Sequence, residues 1–235
     1  MVRVGTAVLI VLCQLAGSLV AGAGAKAADE THPAPLKGEL PAGDSIVTIA
    51  TRPGVTVRLL IRKTKNPPKG VVVMFPGGKG FIVTRSGAIY LAFRGDFVRR
   101  GYATVMMDAP SDRPEGLEDP PYDRFRVSST YTRDLEAVVG YIRREFGAPI
   151  ILFGHSMGAI SAAHLAATIP GEDIRALVMA SSPTTRREKG RGATPVHARL
   201  GRIAIPVVLV HHRDDGCSGA KYDEAADYVR LFSAS

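Results

Sequence analysis

Residues 151–160 read ILFGHSMGAI, an apolar run that ends in Gly154, His155, Ser156, Met157 and Gly158. A serine between two glycines, after a β-rich run and before the small-residue stretch MGAISAAHLAATI, occupies the point where a strand turns sharply into a helix. That turn would lift Oγ of Ser156 to the carboxyl edge of a sheet, above the unpaired N–H groups and positive dipole end of the helix. A hydroxyl in that position is suited to attack on an acyl carbonyl, with the Met157 N–H as one donor to the oxyanion that forms. The plainer alternative is a serine that merely starts a helix.

Two further stretches could complete such a site. FPGGKG, residues 75–80, follows the run KGVVVM and offers backbone N–H groups at Gly78 and Lys79 as further oxyanion donors. The alternative is a turn that is glycine-rich for steric reasons only. VVLVHHRDDGCSG, residues 207–219, delivers Asp214 and Asp215 just past a strand end, where a carboxylate can hold an imidazole in one tautomer. Asp215 lies at the better offset for that task, and either aspartate could instead cap the following helix.

Along the chain FPGGKG, GHSMG and HHRDD resemble, in the family's order, the oxyanion loop, nucleophile elbow and acid loop of the α/β-hydrolase family, from about residue 45 onward. The resemblance implies an α/β fold with a mostly parallel sheet, and esterase-like or peptidase-like acyl transfer from a small-molecule substrate. It implies no cofactor and no metal. In the family a histidine follows the acid after one further helix and strand, whereas here the last predicted helix closes near Phe232 and Ser235 is the final residue. The expectation is a hydrolase domain without its final strand and histidine loop, poorly active and with an exposed sheet edge.

None of the six histidines is a ready substitute. His32 lies in a leader, His155 adjoins the serine on a diverging turn, and His164 falls on the core side of the helix. His197 sits between two strands in a segment that could fold over the site. His211 and His212 lie beside the aspartates at a strand end. Without a base, a serine retains only roughly 10³–10⁴-fold catalysis over water, supplied by the oxyanion donors and binding.

The elements that must position these residues alternate along the chain. SIVTIA and VTVRLLIRK, parted by the turn TRPG, predict an N-terminal β-hairpin, and KGVVVMF and YATVMM predict strands buried on both faces. A helix is expected over about 86–100. VSSTYTRDLEAVVGYIRREFG carries Leu135, Val138, Val139 and Ile142 at helical spacing, with Gly147 as a stop. APIILFGHS, IRALVMASS and IPVVLVHH complete the strands, and GAKYDEAADYVRLF predicts a last helix. Strand then helix, repeated, argues a parallel sheet with helices on both faces.

Residues 1–27 have Arg3 as a positive flank, an apolar stretch and a small-residue exit, which predict a secretory signal cut after Ala25 or Ala27. A retained membrane anchor is the rival. Residues 28–44 are Pro-rich and polar and read as a flexible leader, so the folded domain spans 45–235. Cys13 leaves with the signal, and Cys217 alone cannot form an internal disulfide. The net charge of +8 is spread along the chain apart from RREKGRG, and no nucleic-acid motif accompanies it. The expected locale is the periplasm or the exterior, with no stable membrane insertion once the signal is removed.

Overall fold

The computed structural model describes residues 8–10, 36, 39–84, 89–118, 124–169, 171–184, 197–217 and 219–232. Most of the predicted signal and leader, and residues 185–196 of the segment expected to overhang the site, lie outside the described residues.

Among the described residues eight strands form one sheet: β1 (Val8–Ile10), β2 (Ser45–Arg52), β3 (Val55–Arg62), β4 (Gly70–Phe75), β5 (Tyr102–Met107), β6 (Ile150–His155), β7 (Ile174–Ala180) and β8 (Val207–Val210). Their order is β1-β8-β7-β6-β4-β5-β3-β2. The predicted hairpin β2–β3 is antiparallel and joins β5 antiparallel, while β5, β4, β6, β7, β8 and β1 run parallel. All six residues of β4 are buried, as a central strand covered on both faces requires. The edge of β8, expected to stand open, carries β1: Val8, Leu9 and Ile10 pair with Val207, Val208 and Leu209 and satisfy backbone groups that would otherwise face solvent.

Helix α1 (Ile89–Arg99) packs on one face of the sheet, and α2 (Ser129–Phe146) and α3 (Met157–Thr168) on the other. In α2, Ser128 caps the first turn by accepting from the Tyr131 N–H at 3.1 Å, and Gly147 ends the helix in the left-handed conformation. The predicted stripe of Leu135, Val138, Val139 and Ile142 is fully buried against the sheet. The last predicted helix is shorter than its apolar pattern suggests, with a 3-10 turn at Tyr222–Glu224 and α4 only at Ala225–Arg230. Its expected first turn is drawn away because the Gly219 carbonyl accepts from Thr184 N–H at 3.0 Å.

Folded structure also reaches back into the predicted leader. Leu36 and Leu40 pack against the smaller core on the α1 side, and the buried Asp44 carboxylate pairs with Arg62 (2.9 Å) and Arg94 (2.6 Å). These bonds tie the start of β2 to β3 and α1.

One buried network has a determinate proton arrangement. Arg199 Nη1, which can only donate, lies 3.1 Å from His164 Nδ1. The ring therefore carries its proton on Nε2 and donates to Thr132 Oγ1 at 2.8 Å, and Thr132 passes its own proton to the Ser128 carbonyl at 3.0 Å. Burial, reinforced by the Arg199 charge, pushes His164 down to about 4. An unfolded histidine titrates near ~6.5, so between about pH 6.5 and 4 the unfolded chain binds more protons than the folded one. Stability is therefore complete above that window and falls as pH drops through it, by up to about 1.4 kcal/mol per pH unit from this residue. Urea midpoints measured at about pH 7 and pH 5 should differ in that direction, and His164→Gln should flatten the dependence.

Candidate active site

Ser156 stands between β6 and α3 with φ 50° and ψ −128°, a conformation that a residue with a Cβ adopts only under constraint. The constraint is visible in the surrounding packing. Its N–H donates to the Ala180 carbonyl and its carbonyl accepts from the Ala159 N–H, both at 2.9 Å. A Cβ on Gly154 would lie 2.6 Å from Ala159 N and from the Gly158 carbonyl oxygen. One on Gly158 would run into the Phe75 carbonyl and lie 2.7 Å from that of Pro76. The glycines are thus required by close approach of the helix start to the ends of β6 and β4. Ser156 is half-buried, and its side chain makes no capping hydrogen bond to α3. It does not act as an ordinary helix cap.

Met157 opens α3, so its N–H belongs to the first turn, which has no intrahelical acceptor. The glycine-rich loop lies beside it, since Gly158 abuts the Phe75 and Pro76 carbonyls where that loop begins. The loop is tied at four points. Gly80 N–H donates to the Gly77 carbonyl (3.0 Å), and Leu117 N–H to the Lys79 carbonyl (2.8 Å). Arg126 Nη2 donates to the Gly78 carbonyl, and Ile82 N–H donates to Asp108 Oδ1 at 2.9 Å. Among the described residues, the Gly78 and Lys79 N–H groups take no acceptor.

Asp108 follows β5 and is almost fully buried. Its Oδ1 also accepts from Ala109 N–H (3.0 Å), and its Oδ2 accepts from Arg58 Nε (2.8 Å) and Nη2 (2.5 Å). Four donors satisfy this carboxylate, which makes it a clamp on the loop's exit and leaves no lone pair for proton transfer.

At the end of β8 the structure distinguishes the two aspartates. Asp214 is exposed, and its N–H turns back to His212 Nδ1 at 3.0 Å. Asp215 is half-buried, accepts from Cys217 N–H at 3.0 Å through Oδ1, and lies close enough to His155 and His211 for its charge to act on both rings. Burial outweighs that attraction and pulls both histidines below their ordinary value, so both rings are neutral near pH 7. The strand ends bring these groups to one rim, because Ser156 N–H bonds to Ala180 on β7 and Ser181 N–H bonds to Val210 on β8 at 2.8 Å. His164, by contrast, lies in the core network already described, and of His197 only its place in the 3-10 segment His197–Arg202 is described. Among the described residues no three His, Cys, Asp or Glu side chains are grouped to hold a metal ion.

Sequence reasoning did not find Asp108, Arg58 or Arg126. Asp108 in DAPSD stands just past a strand end, a position that could have drawn notice. Arg126 carries no local signal, since its partners lie 48 and 35 residues away.

A sheet of this order, with a strained serine on the turn after β6, its third-from-last strand in sequence, defines an α/β-hydrolase domain. Solved structures share the architecture. An α/β serine hydrolase homologue from Coxiella burnetii is 18% identical, with 81% of this chain and 83% of that chain covered and a TM-score of 0.57. The Pyrococcus furiosus esterase Pf2001 is 18% identical over 81% and 77%, TM-score 0.60. A cold-adapted esterase from an Arctic intertidal metagenomic library is 16% identical over 83% and 85%, TM-score 0.59. No curated protein sequence matches. The family model described as serine aminopeptidase, S33, matches residues 66–227, well over half of the chain, and the chain belongs to that family of hydrolases.

The packing around the turn makes one consequence measurable. Gly158→Ala must displace the β4 end or the start of α3 and should cost at least about 2 kcal/mol in urea unfolding. Gly140→Ala, on the outer turns of α2 where only the Arg144 side chain is near, should be close to neutral or mildly stabilising.

Proposed function

We propose that this chain is an exported serine hydrolase that transfers the acyl group of a small ester, or a related acyl substrate, to water. Ser156 is the nucleophile, Asp215 the orienting acid, and the N–H groups of Met157 and of the Gly78–Lys79 loop stabilise the oxyanion. The observation that carries this reading is the φ of 50° at Ser156, held by packing and spent on no helix cap. Strain of about 1–3 kcal/mol at a residue that could be glycine is retained where a projected side chain has a use.

In the reaction Oγ attacks the substrate carbonyl carbon and its proton passes to a neutral imidazole in the field of Asp215. His155 and His211 are the described rings in that field. The C=O electrons move onto oxygen, facing the amides, and return as the leaving group departs with the proton. Water then repeats the sequence on the acyl-serine.

A second reading, a domain of this fold that binds acyl ligands without turnover, is favoured by one observation. Among the described residues no imidazole hydrogen-bonds Ser156 Oγ. A fluorophosphonate probe separates the two. The wild type should become labelled at Ser156 and Ser156→Ala should not, while a well-folded wild type that stays unlabelled establishes the binding domain instead. On p-nitrophenyl esters, Asp215→Asn should lower kcat/KM by roughly 10³–10⁴-fold. Esters should turn over faster than aminoacyl p-nitroanilides.

Export is proposed from residues 1–27. N-terminal sequencing of protein recovered outside the cytoplasm should begin at Lys26 or Ala28. A chain recovered there with residues 1–25 intact would overturn cleavage and leave β1 in place beside β8.

A further inference from the structure

Arg126 is 1% exposed in a short 3-10 turn, Phe125–Val127, immediately before α2. Its guanidinium reaches in two directions. Nη2 donates to the carbonyl of Gly78 in the glycine-rich loop, and Nη1 donates to Ser161 Oγ at 2.8 Å. Ser161 is fully buried on α3, one turn beyond Met157. One rigid, planar group therefore spans the two backbone segments that carry the oxyanion donors. The Tyr131 hydroxyl, 3.4 Å from Ser161 Oγ, flanks the same junction.

The geometry points to Arg126 as a positioning residue: it sets the separation and orientation of the Met157 and Lys79 N–H groups by bracing the Gly78 carbonyl against α3. This rests on the reading of Ser156 as nucleophile. In a trans peptide the carbonyl of Gly78 and the N–H of Lys79 point in opposite directions, so a donor that holds the carbonyl inward turns the N–H outward. Gly78 has φ +53°, a conformation in which the loop has little intrinsic preference and needs an external hold. Lysine cannot replace the brace, because a single ammonium on a flexible stem lacks the fixed fork that meets two acceptors in different directions. Ser161 supplies the far anchor, and losing it should have the same effect in weaker form.

The test compares wild type, Arg126→Lys and Ser161→Ala, each checked by circular dichroism and thermal melting so that rates refer to folded protein. Arg126→Lys should lower kcat on p-nitrophenyl acetate by roughly 10–10²-fold with KM within about twofold, since a displaced donor acts on the transition state. Ser161→Ala should fall between it and the wild type. Affinity for phenylboronic acid, whose serine adduct is tetrahedral and anionic, should fall by the same factor as kcat. A merely structural role would reduce the folded fraction and leave kcat and boronate affinity per folded molecule unchanged. Amide exchange gives a readout that needs no activity: the Gly80 and Leu117 N–H groups, both bonded within this loop junction, should exchange faster in Arg126→Lys. Wild-type kcat, boronate affinity and exchange in that variant would overturn the assignment. Faster exchange in a protein whose wild type resists fluorophosphonate would uphold the brace and overturn the nucleophile reading instead.

Discussion

The first turn of α3 lies so close to the ends of β4 and β6 that residues 154 and 158 have no room for a Cβ. Most of the site's geometry follows from that contact. With both flanking positions pressed against backbone, Ser156 cannot relax into the helical or extended region, and its side chain makes no hydrogen bond to the helix it precedes. The same contact sets Gly158 against the carbonyls of Phe75 and Pro76, so the loop leaving β4 must pass beside the start of α3. Two segments 80 residues apart in sequence become neighbours because one helix packs without side chains in between. The small residues that follow, Ala159, Ala162 and Ala163, are all fully buried and keep the helix close along its length.

Beyond the strand ends, regular backbone pairing stops and side chains take over the task of holding the loops. Asp108 binds Arg58 on β3 and the Ile82 amide at the exit of the glycine-rich loop, which links the hairpin layer to the site. A buried ion pair of this kind contributes little net stability against an apolar equivalent, yet breaking it by removing one partner costs about 3–5 kcal/mol. Its value here lies in direction, because a carboxylate with four fixed donors admits one arrangement of the chain around it. Arg52, which pairs with Asp112 and with the buried Asp134, does the same for the turn of the hairpin against α2.

How far the sequence disclosed this depended on whether the determining contacts were local. The strands of the central sheet, the α2 stripe with its Gly147 stop, and the turn at GHSMG are encoded within windows of ten to twenty residues and were legible. The last helix misled because its apolar spacing is sound while its first turn is claimed by Thr184, 35 residues earlier. Asp44 looked like the end of a polar leader, and only the distant Arg62 and Arg94 make it a buried anchor. β1 lies in the stretch that reads as a secretory signal, and nothing in its own residues announces a parallel pairing with β8 some two hundred positions away. Arg126 and Asp108 belong to the same class: ordinary residue types whose role is created by what the fold brings to them.

The two halves of the site differ in how firmly they are held. On the proposed oxyanion side, the loop and α3 are joined by backbone packing, the Arg126 brace, the Leu117 bond and the Asp108 clamp, all drawn from elements remote in sequence. On the proposed acid side, the hydrogen bonds of Asp215 are local, to Cys217 and His212, within a largely exposed turn. Electrostatic stabilisation needs donors fixed in advance, since reorienting them during the reaction would consume the energy they supply. An acid that orients an imidazole can be ordered later, when bound substrate excludes water and strengthens its charge interactions. Under the proposed roles, the rigid half is therefore the half whose geometry must exist before substrate arrives, and the looser half governs how much of that preorganisation becomes rate.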